Sequence, residues 1–149
     1  MEKSILKRHH SDRLIILGVL LFFLGLVIGL FAPLFANPRM GLSSHIEGVL
    51  NGIFLIVLGL IWNKIDLSYK WLKITFWLAV YGTFANWFSM LFAAIFNAGK
   101  TLTIAANGQE GTPFAEVTVM FLLISLSIAM LTICITVLIG LTRNMRQNS

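Results

Sequence analysis

The sequence predicts an all-α fold, an integral membrane bundle of four transmembrane helices in one domain of 149 residues. Three observations predict it. Hydrophobic residues make up 58% of the chain and charged residues 11%, with a mean hydropathy of +0.88. A soluble domain is nearer about 45–50% apolar and about 25% charged. Four apolar runs each reach the roughly 20 residues a helix needs to cross hydrocarbon, and the charges collect between them. These proportions exclude a soluble enzyme, a disordered chain and a disulfide scaffold. The single cysteine, Cys134, has no partner for an internal bridge, and no Cys-x-x-Cys is present.

The first run covers residues 14–36, interrupted only by glycines and Pro33. It is too long for the apolar core of a signal peptide, and no small-x-small cleavage site follows. Asn37-Pro38-Arg39 reads as a tight turn into the second span, residues 42–62, which carries His45, Glu47 and Asn51. A charged connection, 63–73, leads to the third span, 74–96, with Tyr81, Asn86 and Ser89 inside it. Residues 98–113 form the longest loop, polar and glycine-containing. The fourth span is 115–141, with Ser125, Ser127, Thr132 and Thr136. All four runs are too long for barrel strands, which need only about 9–11 alternating residues.

Nine of the eleven Lys and Arg lie in the N-terminal tail, the second connection and the C-terminal tail; only Arg39 and Lys100 lie on the other side. The positive-inside rule therefore puts both termini in the cytoplasm, as a multi-pass protein of the inner membrane. The net charge of +5 belongs to this asymmetry. No basic patch with interleaved aromatics supports nucleic-acid binding.

Ionisable residues inside a membrane are costly and point to function. Both clear cases fall on the second span. His45 shares a face with Gly41, Gly48, Gly52 and Gly59. This spacing admits two readings. Gly48-x-x-x-Gly52 suits close helix packing, and a bare strip beside an imidazole suits a flat ring whose metal that imidazole ligates, as in haem with one axial histidine. Glu47 and Asn51, four apart, share another face. Near a membrane edge, Glu47 is expected to meet water or pair with Arg39, or else to orient groups around His45 or accept a proton. Asn51 and Asn86 lie at similar depth, about 13 and 15 Å from the same membrane face. They are expected either to bond each other or to aim a polar substrate group at a metal.

The other polar residues read as packing. Gly18, Gly25 and Gly29 give the first helix a small face. Gly82, Asn86, Ser89 and Ala93 do so for the third, and Ser125, Ala129, Thr132, Thr136 and Gly140 for the fourth. Tyr81 and Trp77 are expected to pack in the bundle or face lipid, and Cys134 to be inert packing. His9 and His10 are expected to be solvated at the interface. Glu116 is expected to favour the N-terminus of the fourth helix through its dipole. The chain has no P-loop, dinucleotide fingerprint, nucleophile elbow or His-Glu-x-x-His pair. Chemistry would use a small lipophilic substrate entering the bundle from the lipid, with any cofactor held between helices.

The stretch from Asn37 to Gly52 (NPRMGLSSHIEGVLNG), then Tyr81-Gly-Thr-Phe-Ala-Asn86-Trp and Gly108-Gln-Glu-Gly-Thr-Pro113, resembles the hydroxylaminobenzene mutase family. That family is distantly related to the styrene oxide isomerases, which are also small four-helix membrane proteins, and the likeness spans essentially the whole chain. The resemblance implies non-covalent haem b on a single axial ligand, His45, and a homo-trimer with haem at subunit interfaces. It implies that Asn51 lies at the substrate pocket, that Asn86 matches a third-span asparagine of the family, and that the iron acts as a Lewis acid; Asn51 and Asn86 are the expected catalytic residues. The mutases convert an aryl hydroxylamine to an aminophenol. One departure bears on the choice between the two activities. Styrene oxide isomerases carry a tyrosine about one turn past the third-span asparagine, where this chain has Ser89-Met90, and this favours the mutase over epoxide-to-aldehyde rearrangement. A small multidrug-type transporter, also built of four spans with an intramembrane carboxylate, is the alternative of another class.

Overall fold

The computed structural model describes residues 2–147. Four helices follow one another: α1 (Glu2–Phe31), α2 (Pro38–Ile61), α3 (Tyr69–Phe96) and α4 (Pro113–Gln147), separated by single 3-10 turns and short loops. All four are long and apolar enough to cross a membrane, and the described residues contain no strand. The helices pack in chain order, with α2 between α1 and α3, and α3 between α2 and α4.

α1 starts twelve residues before the expected span, because its inward stripe begins in the charged segment. His10, Ser11, Leu14, Gly18, Leu21 and Gly25 are all buried. The Ser11 hydroxyl donates to Gly59 O at 2.7 Å, and His10 stacks on Phe76 at 4.2 Å between ring centroids. The expectation that His10 is solvated at the interface is therefore wrong, because the ring is buried against Phe76; His9 is exposed. Asn37 caps α2 by accepting from Met40 N at 3.2 Å, and Pro38 fills the first helical position, where a missing N–H costs nothing. The expected turn is thus a helix start, and α2 begins four residues earlier than the expected span. Ser68 caps α3 in the same way. Cys134 is exposed on the outer surface of α4, not packed inside.

The α1–α2 contact is close because glycines face glycines. A Cβ on Gly48 would lie 2.5 Å from Gly25 Cα and 2.9 Å from Trp87 Cδ1; one on Gly52 would lie 2.6 Å from Phe22 N. Such approaches are how membrane helices gain van der Waals contact without a hydrophobic driving force. Gly48→Ala is expected to destabilise the protein by about 1–3 kcal/mol, an overpacking cost, read as a lowered melting temperature in detergent.

The loop between α3 and α4 is tied by one side chain. Glu116, 9% exposed, accepts from Gly99 N (3.0 Å), Lys100 N (3.0 Å) and Gly111 N (2.7 Å). Its role is larger than the dipole effect expected. Asn37 and Arg39 bind the same loop through Ala106 O and Asn107 Oδ1. Glu116→Ala leaves three backbone donors without their acceptor, at about 1–3 kcal/mol for each buried one. The expected outcome is a melting temperature lower by about 10 °C and faster proteolysis within residues 97–112.

Candidate active site

Two polar centres flank α2, on different faces. The first is His45, half-buried against α1. Its Nδ1 lies 2.8 Å from Gly25 O. A carbonyl oxygen only accepts, so Nδ1 carries the proton, and in the neutral ring Nε2 keeps its lone pair. Gly29 makes room for the ring, since a Cβ there would stand 2.6 Å from Nδ1. His45 lines an open apolar groove of about 450 Å³ with Phe23, Leu26, Val27, Gly29, Leu30 and Leu42.

The second centre joins α2 to α3. Glu47 Oε2 accepts from Asn86 Nδ2 at 2.6 Å and from Asn51 Nδ2 at 3.0 Å, and Asn51 Nδ2 also donates to Glu47 O at 2.8 Å. Asn51 is buried; Glu47 and Asn86 are half-buried. Nearby, the Ser44 hydroxyl donates to Trp87 O at 3.3 Å. The indole N–H of Trp87 is buried beside Gly48 and has no acceptor among the described residues.

Three sequence expectations change here. Asn51 and Asn86 do lie at one depth, but they meet through the Glu47 carboxylate and not directly. Glu47 turns inward to that pair, whereas Arg39 goes to Asn107. The strip of Gly41, Gly48 and Gly52 cannot receive a flat ring. Backbone of α1 covers Gly48 and Gly52, and Phe35 and Ala32 cover Gly41. His45 is thus reached from the open groove flanking the strip, and that groove is lined by neither asparagine. The sequence could have shown Glu47's place: it shares a face with Asn51, and a carboxylate is the natural acceptor for two amide groups.

The chain matches the family model described as styrene oxide isomerase over residues 10–142. The chain belongs to the styrene oxide isomerase family. It is 51% identical to hydroxylaminobenzene mutase HabB of Ectopseudomonas oleovorans over 88% of its length and 80% of the relative's. To hydroxylaminobenzene mutase HabA of the same organism it is 47% identical, over 85% and 94%. No solved structure matches it. Membership makes the chain an isomerase and removes the need for a transporter's carboxylate. An isomerase needs no net electrons, in keeping with a bundle that offers no nucleotide-binding motif. Tyr81, expected only to pack or face lipid, bonds Ser125 Oγ at 2.6 Å across α3 and α4.

Proposed function

We propose that this isomerase rearranges an aryl hydroxylamine to an aminophenol, with a non-covalent haem b that His45 would hold. The observation that carries the activity is the 51% identity to a hydroxylaminobenzene mutase over most of the chain. The reaction breaks the N–O bond, forms a C–O bond at the ortho carbon, moves the ring proton off that carbon and returns a proton to nitrogen. Atoms and electrons balance without a co-reactant.

The residues around His45 fit such a group. Nδ1 is engaged by Gly25 O, the kind of partner that fixes the tautomer of a ligating histidine and raises its basicity. Nε2 would then be the ligating atom. No group of three or more His, Cys, Asp or Glu occurs among the described residues, so a metal on His45 would take its remaining ligands from a chelate such as a porphyrin. The groove lining is apolar and suits one face of such a ring. Bound there, haem b would supply Lewis-acid chemistry to the rearrangement. Asn51 and Asn86 lie on the other face of α2 from this groove, so they would orient the N–OH group toward a haem held by a neighbouring subunit of the assembly. An apolar enclosure limits capture of the cationic ring by water.

The groove opens to the outside of the chain, beside exposed Phe23, Leu26, Leu30 and Leu42. Assembly as a homo-trimer about this face would enclose it, with lipid covering the remaining apolar surface. The inner membrane with both termini cytoplasmic remains the location favoured by the Lys and Arg distribution. Rearrangement of an epoxide to an aldehyde is the second reading, favoured by the family model.

Purified protein incubated separately with phenylhydroxylamine and with styrene oxide tests the proposal. The expected result is 2-aminophenol from the first, catalysed by a preparation with an intense Soret absorption. A preparation that makes no aminophenol overturns the activity, and a colourless active one overturns the haem.

A further inference from the structure

We propose that an anionic glycerophospholipid occupies the groove between α1 and α3, its phosphate held by Arg13 and Lys73 and one acyl chain laid along the apolar walls beyond them. The groove lies at the other end of α1 from Gly29 and His45, and the inference does not depend on the activity.

α1 and α3 run in the same direction, because each lies antiparallel to α2. Ser11 meets Gly59 and Gly25 meets Gly48, while Asn86 meets Glu47 and Ala94 meets Asn37. With α2 between them, α1 and α3 touch only sparsely. The gap is an open groove of about 360 Å³ lined by Arg13, Ile16, Leu17, Phe76, Trp77 and Val80. Ile16 and Trp77 are exposed along it. Arg13 heads the α1 wall, and Lys73, one turn before Trp77, heads the α3 wall; both are exposed. The charges of both act on one ring, that of His10, which stacks on Phe76 of the groove floor, so the two cations stand at the same end. Lys73 Nζ sits 4.4 Å from the Tyr69 ring centroid, drawn back toward the start of α3 as a lysine at a membrane surface is. Neither cation pairs with a carboxylate among the described residues, whereas Lys3 pairs with Asp66 and Lys7 donates to Asn63 O. Two unpaired cations at the head of an apolar groove complement one phosphate at the head of a hydrocarbon chain. A choline or ethanolamine headgroup would bring a third cation to this place, and a glycerol headgroup would not. A second copy docked by the same face would bring the same two cations.

Native mass spectrometry of the detergent-purified protein tests this by reading the affinity for dioleoyl phosphatidylglycerol and for dioleoyl phosphatidylcholine. A third arm adds free sn-glycerol 3-phosphate as a competitor. Wild type is expected to hold phosphatidylglycerol about 10-fold or more tightly than phosphatidylcholine. Arg13→Gln and Lys73→Gln are each expected to weaken phosphatidylglycerol by about fivefold, and the double variant by about 30-fold, with phosphatidylcholine unchanged. Lys64→Gln removes an exposed cation that does not line the groove, and is expected to change either affinity by no more than about twofold. The single variants carry the test if the double variant does not accumulate. Equal affinity of wild type for the two lipids overturns the inference, as does a double variant that keeps its hold on phosphatidylglycerol. A loss in Lys64→Gln equal to that in Arg13→Gln makes the effect one of overall charge and overturns the site. Displacement of the lipid by an equal concentration of free glycerol phosphate makes the ligand a soluble anion. A lower assembly mass in the double variant makes the occupant a second copy of this chain; either result overturns the lipid.

Discussion

His45→Ala is expected to lose the Soret band and the rearrangement together, with kcat down by about 10³-fold or more. The size follows from the role. A Lewis acid contributes several kcal/mol of charge stabilisation as the N–O bond breaks, and each 1.36 kcal/mol is tenfold in rate. Fold stability should change far less, because the ring is half-buried and makes one hydrogen bond, to Gly25 O. Adding imidazole to His45→Ala should restore part of the absorption, since the vacated space keeps Gly29 and the Gly25 carbonyl that oriented the native ring. Gly29→Ala gives a milder variant, whose Cβ would stand 2.6 Å from Nδ1 and must displace the ring. A shifted Soret maximum and weakened haem retention are expected from it. Retention of full activity by His45→Ala would remove this histidine from the mechanism.

How much of this was legible in the sequence depends on which physical signal each feature carries. The four spans were legible because twenty apolar residues admit little else. Their ends were not, because hydropathy reports where lipid begins, whereas helices end where capping and packing end. α1 runs back to Glu2 through Lys3, Lys7 and Arg8. The spacing of His10, Leu14, Gly18, Leu21 and Gly25 was there to be read as one stripe. Asn37-Pro38 was read as a turn, and its cap chemistry makes it a start.

The candidate site was legible one residue at a time and not as an arrangement. His45, Asn51 and Asn86 were named from polarity at depth. Which face each takes depends on the neighbour that covers the glycines, and a sequence does not say that α1 lies there. The same strip serves packing or a flat ring equally well on paper, and the backbone at Gly25 and Phe22 decides for packing. Glu47 was misdirected to Arg39 by its closeness to a membrane edge. The two amides on α2 and α3 provide what a buried carboxylate needs, donors that replace water.

Asn86→Leu carries the second large expectation, a kcat/KM lower by about 10²-fold or more with the Soret band retained. Asn86 provides the α3 half of the polar link, with the shortest contact of the centre, 2.6 Å to Glu47 Oε2. Leucine keeps the branched outline of asparagine's side chain, though it is bulkier, and has no donor, so it removes two things at once. The carboxylate keeps only Asn51, and a hydrogen bond to a charged acceptor is worth about 1.5–3 kcal/mol. At about 2–4 °C per kcal/mol for a chain of this size, the melting temperature should fall by about 5–10 °C. The substrate would also lose one of the two amides proposed to orient it, and misplacement of a reacting group by an ångström can cost about 10²-fold. Haem content is expected not to depend on this residue, since Asn86 does not line the His45 groove. The spectrum therefore separates the two centres: His45→Ala loses the band, and Asn86→Leu keeps it. Loss of the band in Asn86→Leu would mean that the two faces of α2 form one centre, and full activity would mean that Asn86 serves packing alone.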